Sequence, residues 1–97
     1  MTNLRKLARG QPCQIRLPGI CNGNPETTVL AHVRMIGLSG TGIKAPDMFG
    51  AHACSDCHDA VDGRSNYGLS AFERRLALLE GVIRTQATLI ELGLLHW

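Results

Sequence analysis

Residues 54–58, Cys54-Ser55-Asp56-Cys57-His58, decide how this chain is read. A Cys-x-x-Cys step lets two thiolates converge on one ion, because the turn between them presents backbone N–H groups toward the sulfurs while the chain reverses. A tetrahedral site needs a second pair, and the only other cysteines are Cys13 and Cys21. These flank Pro18-Gly19 as the neck of a hairpin or knuckle would, although the loop is longer than the usual spacing of about two to four residues. The expectation is a structural zinc ion held by Cys13, Cys21, Cys54 and Cys57. Two disulfides, or a redox-active Cys-x-x-Cys, are the competing readings. Against disulfides, the first ten residues are basic without the apolar run of a secretory signal, which points to a reducing cytoplasm. Against redox chemistry, such pairs sit in βαβ surroundings that the pattern here does not offer.

Composition agrees with a need for metal. The 97 residues make one domain, but Phe49, Tyr67, Phe72 and Trp97 are its only aromatics. So thin a core gains from a cross-link that stabilises loops burial alone would not hold. No apolar stretch reaches the length of a membrane span, and there are no internal repeats. The formal charge of +2 is unevenly placed: Arg5, Lys6, Arg9 and Arg16 all precede the first acidic residue, Glu26. A basic arm of this kind suits a phosphate backbone, and it equally suits an ordinary solvated terminus. Four thiolates around one zinc ion would add a net charge of about −2 and cancel the formal excess, so affinity for nucleic acid has to come from local patches or a second cation.

Along the chain, residues 1–12 read as an arm or short helix and 13–34 as irregular hairpin structure. Within the latter, Thr27-Thr28-Val29-Leu30-Ala31-His32-Val33-Arg34 is the best strand candidate, being rich in β-branched and apolar residues. Residues 37–50, broken by Gly37, Gly40, Gly42, Pro46 and Gly50, are expected to form an exposed loop without a regular element. A short helix is expected from Ser55 to about Val61, stopped by Gly63. Ser70-Ala71-Phe72-Glu73 matches a capping box, opening a longer helix that Gly93 would end. Phe72, Leu76, Leu79, Ile83, Ile90 and Leu94 keep helical spacing, and this stripe is expected to be the helix's core face. The fold class is therefore a small α+β domain stabilised by zinc: a basic arm over 1–12, a metal core over 13–63 and a packing helix over 70–93.

The order of these parts, a knuckle, a strand ending in His32, a long glycine-rich loop and a Cys-x-x-Cys-His that opens a helix, resembles the HNH endonuclease superfamily with its ββα-metal, or treble-clef, core. It is most similar to the small YbcO-like nuclease family of phages and prophages. That likeness runs through the knuckle, Ala31-His32-Val33-Arg34, the loop and Ala53-Cys54-Ser55-Asp56-Cys57-His58-Asp59, nearly the whole chain. The resemblance implies an endonuclease that hydrolyses phosphodiester bonds in nucleic acid, DNA more than RNA, in the cytoplasm, alongside phage recombination proteins. It matches His32 to the general base and His58 to a ligand of a catalytic divalent cation such as Mg2+ or Mn2+. Neighbouring residues on a helix point about 100° apart, so Cys57 can face the zinc while His58 faces the strand carrying His32.

Two positions depart from the family pattern. Ala31 stands where many HNH enzymes place an acidic or histidine ligand, and the asparagine that orients the base has Asp47 as its nearest polar counterpart. Asp47 is thus a candidate to orient His32 or to bind metal. His52 is a candidate replacement ligand, or a neighbour of the zinc site, since residues 52 and 54 of a strand share a face. Arg34, on the strand face of His32, is a candidate phosphate clamp beside Arg5, Lys6 and Arg9 of the arm. Asp59 is a candidate to bind metal or to suit the helix dipole, and His96 and Trp97 draw no role. The alternative function is a non-catalytic zinc-binding module that grips nucleic acid or a protein partner.

Overall fold

The computed structural model describes residues 3–35, 37, 40, 43–64 and 67–95. The basic arm forms α1 (Leu4–Ala8), where the Asn3 side chain caps the helix by accepting the N–H groups of Arg5 and Lys6. Two strands, β1 (Val29–His32) and β2 (Gly50–Ala53), pair antiparallel, with Leu30 opposite His52 and His32 opposite Gly50. The chain then enters α2 (Ser55–Asp62), turns at Gly63, which takes a left-handed φ of 76°, and closes with α3 (Ala71–Glu91). The capping box forms at Ser70 and Glu73, and Gly93 follows the end of α3 with φ 74°.

The strand expected over residues 27–34 is shorter, because Pro25–Thr27 form a 3-10 turn capped by the Asn24 side chain. Val33 still donates to Phe49 O at 2.9 Å, just past the end of the ladder. The loop over 37–50 is also more ordered than its glycines suggest, although residues 38, 39, 41 and 42 lie outside those described. Asp47–Phe49 make a second 3-10 turn that starts after Pro46, and Gly50 is the first residue of β2. The approach is close there: a Cβ at position 50 would stand 2.7 Å from both Cγ and Cδ1 of Leu30 and 3.3 Å from Asp47 O, so the Leu30 side chain would have to move.

The stripe on α3 is the main correction. Phe72, Leu76, Leu79, Ile83, Ile90 and Leu94 are exposed, and the buried residues are Ala77, Gly81, Val82, Thr85 and Leu89 on the roughly opposite side. The reason is the short distance between α3 and β2. A Cβ at Gly81 would lie 2.8 Å from Ile15 Cγ1 and 3.1 Å from Ala51 Cβ, so only small residues fit at the crossing. Thr85 joins the layers by accepting the His52 N–H at 2.9 Å, and Arg84 donates to the Gln14 carbonyl. The core gathers Ile15, Ala31, Val33, Ala51, Ala53 and Val82 around the cysteines. His96 and Trp97 lie outside the described residues.

Candidate functional site

The two cysteine pairs meet. The Sγ atoms of Cys13, Cys21, Cys54 and Cys57 all lie within 4.8 Å of one another, and Cys21 and Cys54 are 3.8 Å apart. Thiolates at about 2.3 Å from zinc define a tetrahedron with edges of about 3.8 Å, whereas a disulfide needs about 2.05 Å. These are free sulfurs whose number and spacing fit a metal ion such as zinc.

Local structure prepares them for it. Cys54 is the N-cap of α2 and its sulfur accepts the Cys57 N–H at 3.4 Å. Cys13 accepts the Arg16 N–H at 3.5 Å, a contact made by the left-handed φ of 56° at Arg16. That conformation costs a non-glycine residue on the order of 1 kcal/mol, offset by guanidinium hydrogen bonds to Cys13 O at 3.2 Å and Gln14 Oε1 at 2.8 Å. Asn22 ties the knuckle to α2, donating to Ser55 Oγ at 3.1 Å and Asp56 Oδ2 at 2.9 Å. The Cys57 thiol and nearby N–H groups stabilise a thiolate at Cys13 and hold its pKa at about 4, against the opposing effect of burial. The proton so shared, together with burial, pushes Cys57 up. A cluster that already favours one thiolate releases its remaining protons when a divalent cation binds.

On the other side of α2 opens a cavity of about 640 Å³. His32, Arg34, Lys44, His58, Asp62 and Arg64 supply its polar lining, and Leu30, Val33 and Ile43 its apolar wall. His32 Nε2 is 2.7 Å from Asp47 Oδ1, and the other carboxylate oxygen of Asp47 is 3.6 Å from Arg5 Nε. The carboxylate can only accept, so the ring donates from Nε2, and in its neutral form the free lone pair is on Nδ1. His58 Nε2 stands 3.9 Å from Asp62 Oδ2, one helical turn on. Asp62 is also held by Arg64 at 2.7 Å and Arg34 at 3.5 Å. Burial lowers the His58 pKa, outweighing the opposite pull of Asp62, so its ring is neutral with a free lone pair at pH 7. Three cations against one carboxylate in an open hollow suit an anionic ligand.

Residues 2–94 match the family model described as "Putative nuclease YbcO". The chain belongs to the YbcO family. It is 50% identical over 95 residues, 98% of each chain, to "Putative nuclease YbcO" of Escherichia coli K12. The same figures hold for "Putative nuclease ybcO" of Enterobacteria phage 82. A solved structure titled "Structure of a putative bacteriophage protein from Escherichia coli str. K-12 substr. MG1655" superposes with a TM-score of 0.78 at 44% identity, covering 94% of this chain and 100% of that one.

In this YbcO family member, His32, His58 and Arg34 line one cavity, and Asp47 and Arg5 support it from behind His32. Lys6 and Arg9 are exposed and do not line it. His52 belongs neither to the cavity nor to the sulfur cluster. All four residues of β2 are buried, and His52 keeps its Nδ1 without a hydrogen-bond partner among the described residues. Burial lowers its pKa and leaves it neutral. Sequence reasoning passed over Asp62, Lys44 and Arg64. Asp62 had a readable signal, since residues four apart on a helix share a face and His58 was already singled out. Lys44 and Arg64 come from loops, where no periodicity reports direction.

Proposed function

We propose that this chain is an HNH-type endonuclease with a ββα-metal core, hydrolysing phosphodiester bonds in DNA with the help of a divalent cation. The observation that carries this reading is that His32 and His58 line one cavity while Asp47 holds the Nε2 side of His32. His32 Nδ1 takes the proton from the attacking water, and Asp47 fixes the orientation of the ring. Arg34, Lys44 and Arg64 bind phosphate oxygens. His58 and Asp62 would hold the catalytic cation, whose contribution is to neutralise charge on the phosphate and leaving oxygen. Their 3.9 Å separation is less than twice a metal–ligand distance of about 2.1 Å, so both atoms can reach one ion when Arg64 leaves Asp62 Oδ2 for a phosphate, and magnesium sites commonly take few protein ligands beside phosphate and water. The thiolate cluster is proposed to hold structural zinc, fixing the first turn of α2 and with it His58.

One observation favours the alternative, a zinc module that binds nucleic acid without cleaving it: among the described residues, the four cysteines are the only group of three or more metal-ligating side chains that come together. The test is incubation of plasmid and linear DNA, and of RNA, with the purified protein and Mg2+, Mn2+, Ni2+ or Zn2+. Cation-dependent cleavage that disappears in His32→Ala, with zinc content and helicity unchanged, is the expected result. No cleavage with any of these ions, or cleavage that survives His32→Ala, overturns the nuclease reading, and retained DNA binding would then support the module.

A further inference from the structure

The outer face of α3 is apolar and bare among the described residues. Phe72 is 74% exposed and Ile83 67%, with Leu76, Leu79 and Ile90 between and beyond them. Their spacing is 4, 3, 4 and 7 residues, the alternating rhythm of a seam that averages about 3.5 residues and keeps one line of side chains facing a partner helix. Gln86 occupies the remaining seam position and turns back, donating to Met48 O at 2.7 Å. Together these side chains offer apolar surface on the order of 500 Å², within the roughly 300–600 Å² of the largest patch on a typical monomer, a patch that is often functional.

We propose that this face is a self-association seam, in which two copies of the chain pair α3 against α3 with the helices parallel. The charges flanking the seam carry the choice of partner. Arg75 lies along one edge and Glu73 and Glu80 along the other. In a parallel pair the residue on one edge meets the residue five positions further on in the other copy, so Arg75 of each copy faces Glu80 of its mate, twice by symmetry. An antiparallel pair would bring the acidic edges together instead. Among the described residues Arg75 makes no ion pair, and Glu80 reaches only Arg84, at 4.0 Å. The acidic edge of Glu73 and Glu80 also disfavours a lipid surface, which selects lysine and arginine beside an apolar helix face. No residue lining the 640 Å³ cavity belongs to α3, so pairing leaves the cavity open. The apolar area per copy is below the standard of about 800 Å² for stable complexes, which places this pairing among the weak, transient ones.

Sedimentation equilibrium of the intact, metal-loaded chain from about 1 to 500 μM tests this, a range chosen to span the weak affinity that the area implies. The average mass should rise from 10.5 kDa toward twice that value. Ile83→Glu, at a position exposed in the monomer, should raise the dissociation constant at least about 100-fold, with helicity and bound metal unchanged. Arg75→Glu and Glu80→Arg should each loosen the dimer several-fold, and the double swap should restore it. A monomer at the highest concentration, or an Ile83→Glu variant that associates like the parent, overturns the proposal. So does binding to phosphatidylglycerol vesicles without self-association. Single swaps without effect overturn the parallel pairing.

Discussion

Cys57 and His58 are chain neighbours at the start of α2, yet they look into different chemistries. Cys57 is fully buried against three other sulfurs, while His58 borders an open, cation-lined hollow. The difference teaches that one helix turn can separate a buried sulfur cluster from the wall of an open cavity, provided its first residues are clamped. Here Cys54 caps the helix and Asn22 ties the knuckle to it. The same division recurs in α3, whose small residues meet the sheet and whose large ones do not.

The largest effect should come from breaking the sulfur side. Cys57→Ser removes a buried thiol of the cluster proposed to hold zinc, and since structural zinc contributes about 10–16 kcal/mol in small domains, loss of bound zinc and of cooperative melting is expected in metal analysis and calorimetry. A Cys57→Ser protein that melts normally would dissolve the contrast. On the cavity side, His32→Ala should lower kcat by about 10²–10⁴-fold, the range of a general base, with only a small change in melting temperature. Asp47→Asn keeps the shape but weakens the hold on Nε2, and an effect of about 10–100-fold on activity, with the rate of substrate binding little changed, is expected of a group that orients another.

The division within α3 can be sharpened by Gly81→Val, which forces atoms against Ile15 and Ala51 and should destabilise by about 1–3 kcal/mol in denaturant melts; indifference to this change would mean the helix sits further from β2. The smallest effect concerns the cap. Hydrogen bonds with Ser70 lower the Glu73 pKa below its ordinary 4.5. Since the depressed value belongs to the folded state, the cap's contribution is full above pH 4.5 and is lost as pH falls through the folded pKa. Ser70→Ala should flatten that acid limb in pH-dependent helix melting.

Much of the local structure was legible in advance. The capping box and Gly93 delimited α3 closely, and Gly63 ended α2, because caps and left-handed glycines act within a few residues of themselves. The strand's start was less so, since Pro25 and Asn24 set up a turn that β-branched composition does not reveal. Asp47 beside His32 joins residues 15 apart, and the Cys13 and Cys54 pairings span still more chain.

What the sequence determined by itself is the inventory of side chains: four cysteines, a histidine beside the last of them, and a helix with an apolar stripe. Each is a matter of residue type and short-range spacing, which no packing can change. Only the tertiary structure decided that Asp47 holds His32, that His52 is buried away from the cavity, and that the stripe faces outward. Periodicity shows that a helix has a face of large apolar residues, but which face lies inward depends on how closely the backbones approach. Where α3 crosses β2 at Gly81, the gap admits no Cβ without displacing Ile15, so the small residues went in and the large ones were left outside.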